Sequence, residues 1–468
     1  MARKAKIVAT LGPASDNITT ISNLIKAGVN IFRLNFSYGT HESHRQSFLR
    51  IRECAEKQGK DVAIMQDICG PKIRIKGMTG TREIKKGDTL TLSKTVKENA
   101  FSITYPELID QLNKGDEVYF ADGTVKTRVE EKNNDTLILK ALTRGMLREG
   151  KGVNIPRAGI KMSALTEKDK DDLRFGAQIG VDIVAISFVE TKQDILDAKK
   201  ILQENNSDAW VIAKIERKSA IKNLDDILTE VNGLMVARGD LGVEAGMFVL
   251  PALQKEIIRK ANARALPVIT ATQMLTSMMH APSPTRADIS DIANAVFDGT
   301  DATMLSDETA VGEFPVEAVK VMAKTLRTTE KNFTPQTETE WKKGEAFAHA
   351  AAELSKVVKC KAIASISTTG SIVRQISKFR PKKDILAISF NPRLKNKLAM
   401  VWGVKKTYII EKDISETKLI YQFLEQVGDN EDYMITMGSK TGRQGSTNMV
   451  RLIDKVERKK ITDRYKPE

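Results

Sequence analysis

The sequence predicts an α/β protein: a (β/α)₈ TIM barrel, a small β-barrel lid inserted into it, and a C-terminal α/β domain with an open sheet. Three observations carry this prediction. Eight short apolar runs alternate with helical patterns over residues 1–310, one spacing between runs is far longer than the others, and a second alternation of helices and strands follows a polar stretch. Continuous apolar runs suit parallel strands covered on both faces, and strand–helix units in series are typical of a barrel.

The eight runs are the predicted strands of the barrel, and each one ends in polar residues. They begin at Lys6, Asn30, Asp61, Val181, Ala209, Gly233, Pro267 and Ala302. The helical patterns between them carry boundary signals of their own. The first helix has Asp16 or Asn17 as its N-cap and Gly28 just past its end. The helix after the seventh run opens on the capping-box spacing of Thr285 and Asp288.

An insertion interrupts the barrel between its third and fourth strands. Six of the seven spacings between runs lie between 24 and 35 residues, whereas the spacing from Asp61 to Val181 is 120 residues. The inserted residues show the alternating patterns of antiparallel strands and a hairpin signal at Asp122-Gly123. We expect a small β-barrel or sandwich that is joined to the barrel by two strands of chain and acts as a lid.

A polar stretch near residues 333–341 predicts a linker, and beyond it helices alternate with short strands as in a doubly wound sheet. The predicted domains are therefore a discontinuous catalytic barrel of residues 1–70 and 157–335, an inserted lid of residues 71–156, and a C-terminal regulatory domain of residues 342–468.

Composition excludes several classes of protein. No apolar run reaches the roughly 18 residues that a membrane-spanning helix needs, and the apolar stretch Ile7–Leu11 is too short for a secretory signal. Cys54, Cys69 and Cys360 are too few and too far apart for a disulfide framework. We expect a reduced, cytoplasmic compartment with no membrane partner. The net charge of +14 is compatible with anionic substrates or a nucleic acid, although solubility is its simplest interpretation.

Polar residues at the carboxyl ends of the predicted strands form a candidate active site, since chemistry in a barrel takes place at that end. These residues are Arg33, Asn35, Ser37, Asp67, Lys214, Glu216, Arg238, Gly239, Asp240, Thr272, Ser306, Asp307 and Glu308. Glu216 and Asp240 lie on adjacent strands and offer hard oxygen ligands for Mg²⁺, while Lys214 shares a face with Glu216. A structural ion pair or a strand cap is the commoner role for each residue singly. The prediction depends on their coincidence at one end of one barrel.

The same stretches of sequence resemble the pyruvate kinase family. The matching stretches are KIVATLGPAS, FRLNFSYGTHESH, QDICGPKIR, KGVNIP, LTEKDKDDL, AKIER, MVARGDLGVE, ITATQML, PSPTRADISDIANAVFDGTDATMLSDETA and GSTNMVRL. They span nearly the whole chain in order. The resemblance implies a phosphotransferase with the architecture predicted above.

The resemblance also implies a reaction and its machinery. The phosphoryl group of phosphoenolpyruvate would pass to ADP, giving ATP and pyruvate in glycolysis. By motif position, Glu216 and Asp240 would bind Mg²⁺ or Mn²⁺. Lys214 would neutralise the transferring phosphoryl group and the developing enolate.

Further roles follow from the resemblance alone. Backbone amides that open a helix at Ala237, Arg238 and Gly239 would receive the substrate carboxylate, next to Asp240. Thr272 would help to protonate the enolate. The residues that would face the ADP phosphates are Arg33, Asn35, Arg74 and Lys151, of which Arg33 is also expected to act in catalysis.

The end of the third strand departs from the pattern that many family members share. Those members have Asp-Thr-Lys-Gly-Pro-Glu there and require K⁺, whereas this chain has Lys72 in place of the Glu. This resembles the K⁺-independent branch, in which a fixed ammonium replaces the charge of the cation. We expect K⁺ not to be required, although ligand-type residues are retained in the same region. That region comprises Asn35, Ser37, Asp67, Ile68 and Lys72. Tyr38 and Asp307 also depart from the common pattern.

A second anion site is expected in the C-terminal domain, between a strand and a helix. Its residues are Ser367, Thr368, Thr369, Gly370 and Ser371. Hydroxyls and amides at a helix N-terminus bind anions, although ordinary capping explains the same residues. The family places a phosphorylated activator here, opposite a glycine loop at residues 438–445, which implies a sugar phosphate or AMP as effector. A homotetramer is implied by the resemblance alone.

Two other functions compete with this one. A Mg²⁺-dependent pyruvate or oxaloacetate lyase would use the same enolate chemistry, but the motifs GPKIR and KGVN would have no role in it without a nucleotide. A basic nucleic-acid-binding protein is disfavoured because aromatic residues are only 5% and no long basic tract is interleaved with them. We expect no nucleic-acid partner.

Overall fold

The first three strands of a parallel barrel open the chain in the computed structural model, which describes residues 3–121, 123–156, 163–334, 343–412, 414–438 and 447–465. The elements are β1 (Lys6–Thr10), α1 (Ile18–Ala27), β2 (Ile31–Asn35), α2 (His41–Lys57) and β3 (Ala63–Asp67). The side chain of Asn17 caps α1 by accepting a hydrogen bond from the amide of Thr20, and Gly28 ends the helix with φ of 122°. The predicted boundaries of α1 are confirmed.

The inserted segment forms antiparallel sheets. Its elements are β4 (Ile75–Lys76), β5 (Thr81–Ile84), β6 (Thr89–Ser93), β7 (Ser102–Ile103), α3 (Leu108–Gln111), β8 (Glu117–Phe120), β9 (Val125–Lys132), β10 (Thr136–Ala141), β11 (Gly145–Arg148) and β12 (Val153–Asn154). A five-stranded sheet runs in the order β12-β8-β9-β10-β6, and β11–β5 and β4–β7 are separate pairs. Its buried apolar residues, from Ile73 to Ile155, form a core of their own.

The predicted hairpin joins β8 and β9, which pair antiparallel with Phe120 opposite Val125. Asp122 of the predicted turn lies outside the described residues. The sequence did not predict the four short strands β4, β5, β11 and β12.

The barrel resumes after the insertion. Its elements are α4 (Glu167–Ile179), β13 (Ile183–Ile186), α5 (Lys192–Glu204), β14 (Trp210–Ile215), α6 (Lys218–Lys222), α7 (Leu224–Glu230), β15 (Gly233–Ala237), α8 (Arg238–Ala245), α9 (Leu250–Ala263), β16 (Val268–Ala271), a 3₁₀ turn (Thr276–Met279), α10 (Arg286–Phe297), β17 (Ala302–Leu305), α11 (Asp307–Ala310), α12 (Pro315–Thr329) and a 3₁₀ turn (Glu330–Asn332). Strand β3 pairs directly with β13, and β17 closes the barrel against β1. The eight-stranded parallel barrel is confirmed, as is the capping box of Thr285 and Asp288.

The C-terminal residues form an open α/β sheet, as predicted. Its elements are α13 (Lys343–Val357), β18 (Ala362–Ile366), α14 (Ser371–Lys378), β19 (Asp384–Ser389), α15 (Leu394–Lys397), a 3₁₀ turn (Leu398–Met400), β20 (Val404–Ile409), α16 (Glu416–Val427), β21 (Tyr433–Gly438), β22 (Thr447–Ile453) and α17 (Lys455–Tyr465). The strand order is β20-β19-β18-β21-β22, with the unpredicted edge strand β22 antiparallel to β21. Most of the predicted linker, residues 335–341, lies outside the described residues.

This sheet packs against the amino-terminal ends of the barrel strands, opposite the end where the candidate site lies. Buried apolar residues run continuously from the barrel into the C-terminal sheet. Arg380, which is buried, pairs with Asp301 at 2.7 Å and donates to the carbonyl of Gly299 at 2.6 Å, just before β17. The carboxyl ends of the strands therefore face the lid. Within the described ranges, no helix is both long and apolar enough to cross a membrane.

Candidate active site

Lys214 lies at the centre of a cluster of polar side chains at the carboxyl ends of β3, β13 and β14. Its Nζ lies 3.1 Å from Asp67 Oδ1 and 3.0 Å from Glu216 Oε1. It also donates to Ser187 Oγ at 2.6 Å, and Ser187 in turn donates to the carbonyl of Ile68 at 2.6 Å. Contacts on three sides fix the ammonium group, so it meets a substrate without first having to be ordered.

The charges of this cluster are stabilised by one another. Burial by itself would lower the pKa of Lys214, but the carboxylates of Asp67 and Glu216 outweigh it and raise that pKa above its usual value. Burial would raise the pKa of Asp67, but Lys214 and Arg33 hold it below its usual range. The lysine is therefore an ammonium and Asp67 a carboxylate at neutral pH.

Glu216 and Asp240 are the candidate metal ligands, and their surroundings suit a cation. Glu216 Oε2 accepts a hydrogen bond from the amide of Phe188 at 2.7 Å. Burial raises the pKa of Glu216; the positive charge of Lys214 lowers it and the negative charge of Asp240 raises it, and the net result is a raised pKa. A divalent cation between the two carboxylates would relieve this repulsion.

A pair of carboxylates with open positions is the arrangement in which Mg²⁺ keeps waters or substrate oxygens. Among the described residues, no three His, Cys, Asp or Glu side chains cluster into a site made of protein ligands alone. The donor set thus fits Mg²⁺ shared with a substrate better than a closed structural metal site.

The first turn of α8 presents backbone rather than its arginine to the site. The guanidinium of Arg238 makes two hydrogen bonds of 2.7 Å to Asp291 and another to the carbonyl of Ala271. The side chain of Arg238 therefore anchors the helix. The amide of Gly239 donates to Thr272 Oγ1 at 3.0 Å. Thr272 has φ of +69°, a strained backbone conformation that is common at functional sites.

Arg33 joins the cluster from β2. Its Nε lies 2.6 Å from Asp67 Oδ2, and its Nη1 donates to Thr10 Oγ1 at 3.1 Å. Two residues further on, Asn35 Oδ1 accepts from the amide of Ser37 at 3.2 Å. The structure thus brings Arg33, Asp67 and Lys214 into one chain of ion pairs at the mouth of the barrel.

Arg74 and Lys151 lie next to each other on the lid. Arg74 pairs with Gly152 in an isolated bridge, and its Nη1 donates to the carbonyl of Gly150 at 3.0 Å. The amide of Ile75 donates to the carbonyl of Lys151 at 2.9 Å. Arg74 and Lys151 can therefore contact a substrate only from the lid, whereas Arg33 and Asn35 belong to the barrel.

A cleft of about 440 Å³ lies between the lid and the barrel mouth. Its lining includes Lys72, Asn154, Phe188, Arg217, Asp240 and Glu244. Lys72 is therefore in the same cleft as a candidate metal ligand. Ile68, from the same predicted region, is buried and contributes its carbonyl to Ser187.

Three residues of the site were not predicted from the sequence: Ser187, Arg217 and Glu244. Ser187 stands at the end of a predicted strand, so its position was a usable signal. Arg217 directly follows Glu216 and forms an ion pair with Glu190. Glu244 has no local signal, because its contacts are with segments distant in the sequence.

The candidate effector loop precedes α14 as predicted. Ser367 Oγ accepts a hydrogen bond from the amide of Gly370 at 2.9 Å, and Gly370 has φ of +80°, which is accessible to glycine at little cost. Helix α14 then begins at Ser371. Of the glycine loop expected opposite, residues 439–446 lie outside the described residues.

Comparisons with known proteins find similarity to one family along nearly the whole chain. The family profile described as "Pyruvate kinase, barrel domain" matches residues 2–319, and "Pyruvate kinase, alpha/beta domain" matches residues 345–453. Pyruvate kinase 2 of Synechocystis sp. is 41% identical over 96% of this chain and 79% of its own length. Pyruvate kinase of Thermococcus litoralis is 38% identical over 96% of this chain and 98% of its own.

A solved structure agrees as well. The crystal structure of a pyruvate kinase from Cryptosporidium parvum superimposes with a TM-score of 0.89 at 33% identity, covering 97% of this chain and 96% of that one. The chain is therefore a phosphotransferase that belongs to the pyruvate kinase family.

Proposed function

We propose that this chain transfers the phosphoryl group of phosphoenolpyruvate to ADP, giving ATP and pyruvate, with Mg²⁺ or Mn²⁺ and without a requirement for K⁺. The observation that carries the proposal is the fixed ammonium of Lys214 beside Glu216, at the mouth of a barrel that the lid covers. A permanent positive charge at that place meets negative charge as it develops on the phosphoryl group and the enolate oxygen.

Glu216 and Asp240 would hold the divalent cation, which would supply positive charge to the substrate oxygens when bound. Lys214 keeps its own proton because two carboxylates face it, so it acts as a charge and not as a base. The guanidinium of Arg33 donates from Nε to Asp67, and this hydrogen bond fixes the orientation of the Arg33 side chain at the barrel mouth.

The substrate carboxylate would bind the amides at Ala237, Arg238 and Gly239. The Gly239 amide now donates to Thr272, so a bound carboxylate would compete for that amide and release the hydroxyl. The freed hydroxyl of Thr272 would then orient a water that delivers a proton to the enolate carbon. Binding of the substrate carboxylate would thus also release the Thr272 hydroxyl for its role in protonation.

The ADP phosphates would lie between Arg33 and Asn35 on the barrel and Arg74 and Lys151 on the lid. Because the two pairs belong to different bodies, closing the lid completes the nucleotide site. The same closure excludes water, which would otherwise compete with ADP for the phosphoryl group.

A coupled assay of ATP formation from phosphoenolpyruvate and ADP tests the reaction. A lyase would release pyruvate from oxaloacetate without ADP, and a nucleic-acid-binding protein would do neither. ATP formation that depends on both substrates and on Mg²⁺ or Mn²⁺ is the expected outcome; its absence would contradict the proposal.

Pyruvate kinases generally use Mg²⁺ and K⁺, so independence of K⁺ would be a departure from the general pattern of the family. Its support is Lys72, which lines the cleft and would bring a positive charge to it. In an assay free of Na⁺ and K⁺, turnover should already be near its maximum. Lys72→Glu is the matched control and should make turnover depend on K⁺. A strong rise of wild-type turnover on adding K⁺ would contradict the proposal.

Activation by a phosphorylated metabolite, either a sugar phosphate or AMP, is proposed for the loop of residues 367–371. Among the described residues, no side chain caps the start of α14, and Gly370 there has a left-handed backbone; backbone amides at the start of a helix can bind an anion. A homotetramer is also proposed, and the exposed apolar segment Met247–Val249 is compatible with a covered surface between copies. Light scattering after gel filtration would give the number of chains.

A further inference from the structure

The loop of residues 36–40 joins β2 to α2 and directly follows Asn35, one of the residues proposed to face the ADP phosphates. Two hydrogen bonds tie the loop to that asparagine. Asn35 Oδ1 accepts from the amide of Ser37 at 3.2 Å, and the carbonyl of Asn35 accepts from the amide of Tyr38 at 3.2 Å. Whatever fixes this β2–α2 loop therefore also fixes the side chain of Asn35.

A buried carboxylate on α4 is connected to both ends of the loop. Asp172 is only 2% exposed, and its Oδ2 accepts from the ammonium of Lys168 at 2.6 Å. The same ammonium donates to the carbonyl of Phe36 at 2.9 Å, at the start of the loop. Nε2 of His41, the first residue of α2, lies 2.7 Å from Asp172 Oδ1. One side chain thus holds the residue that opens the loop and the residue that follows it.

Two stacked ring pairs pack around these contacts. The His41 ring stacks on Phe175 of α4, with 4.2 Å between the centroids. The His44 ring stacks on Phe36, with 3.9 Å between the centroids. His44 Nε2 also lies 2.9 Å from the carbonyl of Tyr38 and donates there, because a carbonyl can only accept. The middle of the loop is therefore held as well as its ends.

Helix α4 is itself fixed on the barrel near its start. Asp169 forms a capping box with Thr166, and its Oδ1 accepts from the amide of Gly70 at 3.0 Å, where the chain leaves the barrel for the lid. The carbonyl of Asp172 accepts from the side chain of Gln66 on β3 at 2.6 Å. Asp172 is therefore held on the barrel by its backbone as well as by its side chain.

Resting on the function proposed above, we propose that Asp172 is a positioning residue for the nucleotide. Through Lys168 and His41 it sets the β2–α2 loop, and with it Asn35, at the barrel half of the site for the ADP phosphates. Because Asp172 is buried, it acts through the loop and does not touch the nucleotide.

Kinetics of four variants test this role: Asp172→Asn, Lys168→Met, the double variant and Lys168→Arg. The side chain of Lys168 is 59% exposed, so losing its hydrogen bonds should have an effect of about threefold to tenfold. The KM for ADP should rise by that factor in Lys168→Met, and at least as much in Asp172→Asn, which also releases His41. The double variant should equal Asp172→Asn, because both changes free the carbonyl of Phe36.

Two comparisons separate positioning from a general loss of structure. Lys168→Arg keeps donors for Phe36 and Asp172, so its KM for ADP should stay within about twofold of wild type. The KM for phosphoenolpyruvate and kcat should change less than the KM for ADP in every variant, because the loop contains no residue assigned to phosphoenolpyruvate.

Lys170→Met is the matched control, because Lys170 lies on the same helix and its ammonium pairs with the exposed Glu167 at 2.7 Å. Its KM for ADP should remain close to that of wild type. Four results would overturn the proposal: no rise in Lys168→Met and Asp172→Asn, effects that multiply in the double variant, an equal rise in Lys170→Met, or an equal rise in the KM for phosphoenolpyruvate.

Hydrogen–deuterium exchange without substrates gives a readout that does not depend on the reaction. Backbone amides of residues 36–40 should exchange faster in Asp172→Asn and Lys168→Met than in wild type, but not in Lys168→Arg or Lys170→Met. Unchanged exchange in Lys168→Met would overturn the positioning role whether or not the wild type makes ATP. Absence of ATP formation by the wild type would instead count against the proposed function. If Asp172→Asn does not fold, Lys168→Met and Lys168→Arg decide the outcome.

Discussion

Replacing Lys214 with methionine is the sharpest perturbation of the site, because the two side chains have similar length and differ chiefly in the charge. The ammonium contacts Asp67 at 3.1 Å, Glu216 at 3.0 Å and Ser187 at 2.6 Å. Its loss acts on the reaction and on the folded protein at the same time. The two effects have to be separated by magnitude and by assay.

The effect on the reaction follows from two interactions that Lys214 would make in the transition state, with the phosphoryl group and with the enolate oxygen. A hydrogen bond to a charged group contributes about 1.5–3 kcal/mol, so two give about 3–6 kcal/mol. At 1.4 kcal/mol for each factor of ten, kcat should fall by about 10²–10⁴-fold.

The effect on stability comes from the carboxylates left behind. Breaking a buried ion pair costs about 3–5 kcal/mol. Arg33 still neutralises Asp67, so Glu216 carries most of this cost. The double variant Lys214→Met/Glu216→Gln should recover the apparent melting temperature without recovering kcat.

The assay is the coupled measurement of ATP formation on protein shown to be folded by its melting curve. Lys6→Met is the matched control, because Lys6 is also buried in the barrel but lies at the opposite end. A kcat of Lys214→Met close to that of wild type would refute the assigned role, as would a loss of kcat that the double variant restores.

Three further changes have expected outcomes. Burial, followed by the positive charges of Arg3 and Lys4, lowers the pKa of Lys6 to about 7, so the folded state binds fewer protons than the unfolded state between about pH 7 and 10.5. The free energy of unfolding should therefore rise with pH over that window. Lys6→Met should raise the free energy of unfolding at pH 7 by about 1–3 kcal/mol, with the loss of the lysine's hydrogen bond already subtracted, and should hardly change it at pH 10. Equal shifts in melting temperature at both pH values would contradict this prediction. Ser371→Asp should abolish activation, because a carboxylate would repel a phosphate at the start of α14; an unchanged ratio of turnover with and without sugar phosphate or AMP would count against the effector site. Arg380→Met should lower the free energy of unfolding by about 3–5 kcal/mol, because it leaves Asp301 buried without its cation. Limited proteolysis should then cut between the barrel and the C-terminal sheet earlier than in wild type. An unaltered cleavage pattern would contradict a stabilising role for the ion pair between Arg380 and Asp301.

The barrel could be predicted because its strands are buried on both faces, so each reads as a continuous apolar run. The short lid strands β4, β5, β11 and β12 contain only two to four residues, too few to show a period. Edge strand β22 was missed because most of it is only half-buried, and its pattern is neither continuous nor alternating.

The candidate site was predictable to the extent that position along a strand determines it. Lys214 and Asp67 stand at strand ends, and their meeting follows from the closed barrel. Asp172 and His41 are 131 residues apart on two different helices, and no local pattern connects them. The side chain of Arg238 was equally unpredictable, because its direction depends on Asp291 from another helix.

Closure of the barrel between β1 and β17 sets a minimum time for its assembly during synthesis. Lys6 pairs with Ala302, so the first strand cannot find its last neighbour until almost 300 further residues have been made. At about 5–20 residues per second, that is a wait of about 15–60 s. Through this interval one edge of β1 has no partner, while the lid, with a core of its own, can already be complete. Fragments that end before β17 should therefore contain a folded lid on a barrel that cannot close, and we expect them to aggregate through that open edge.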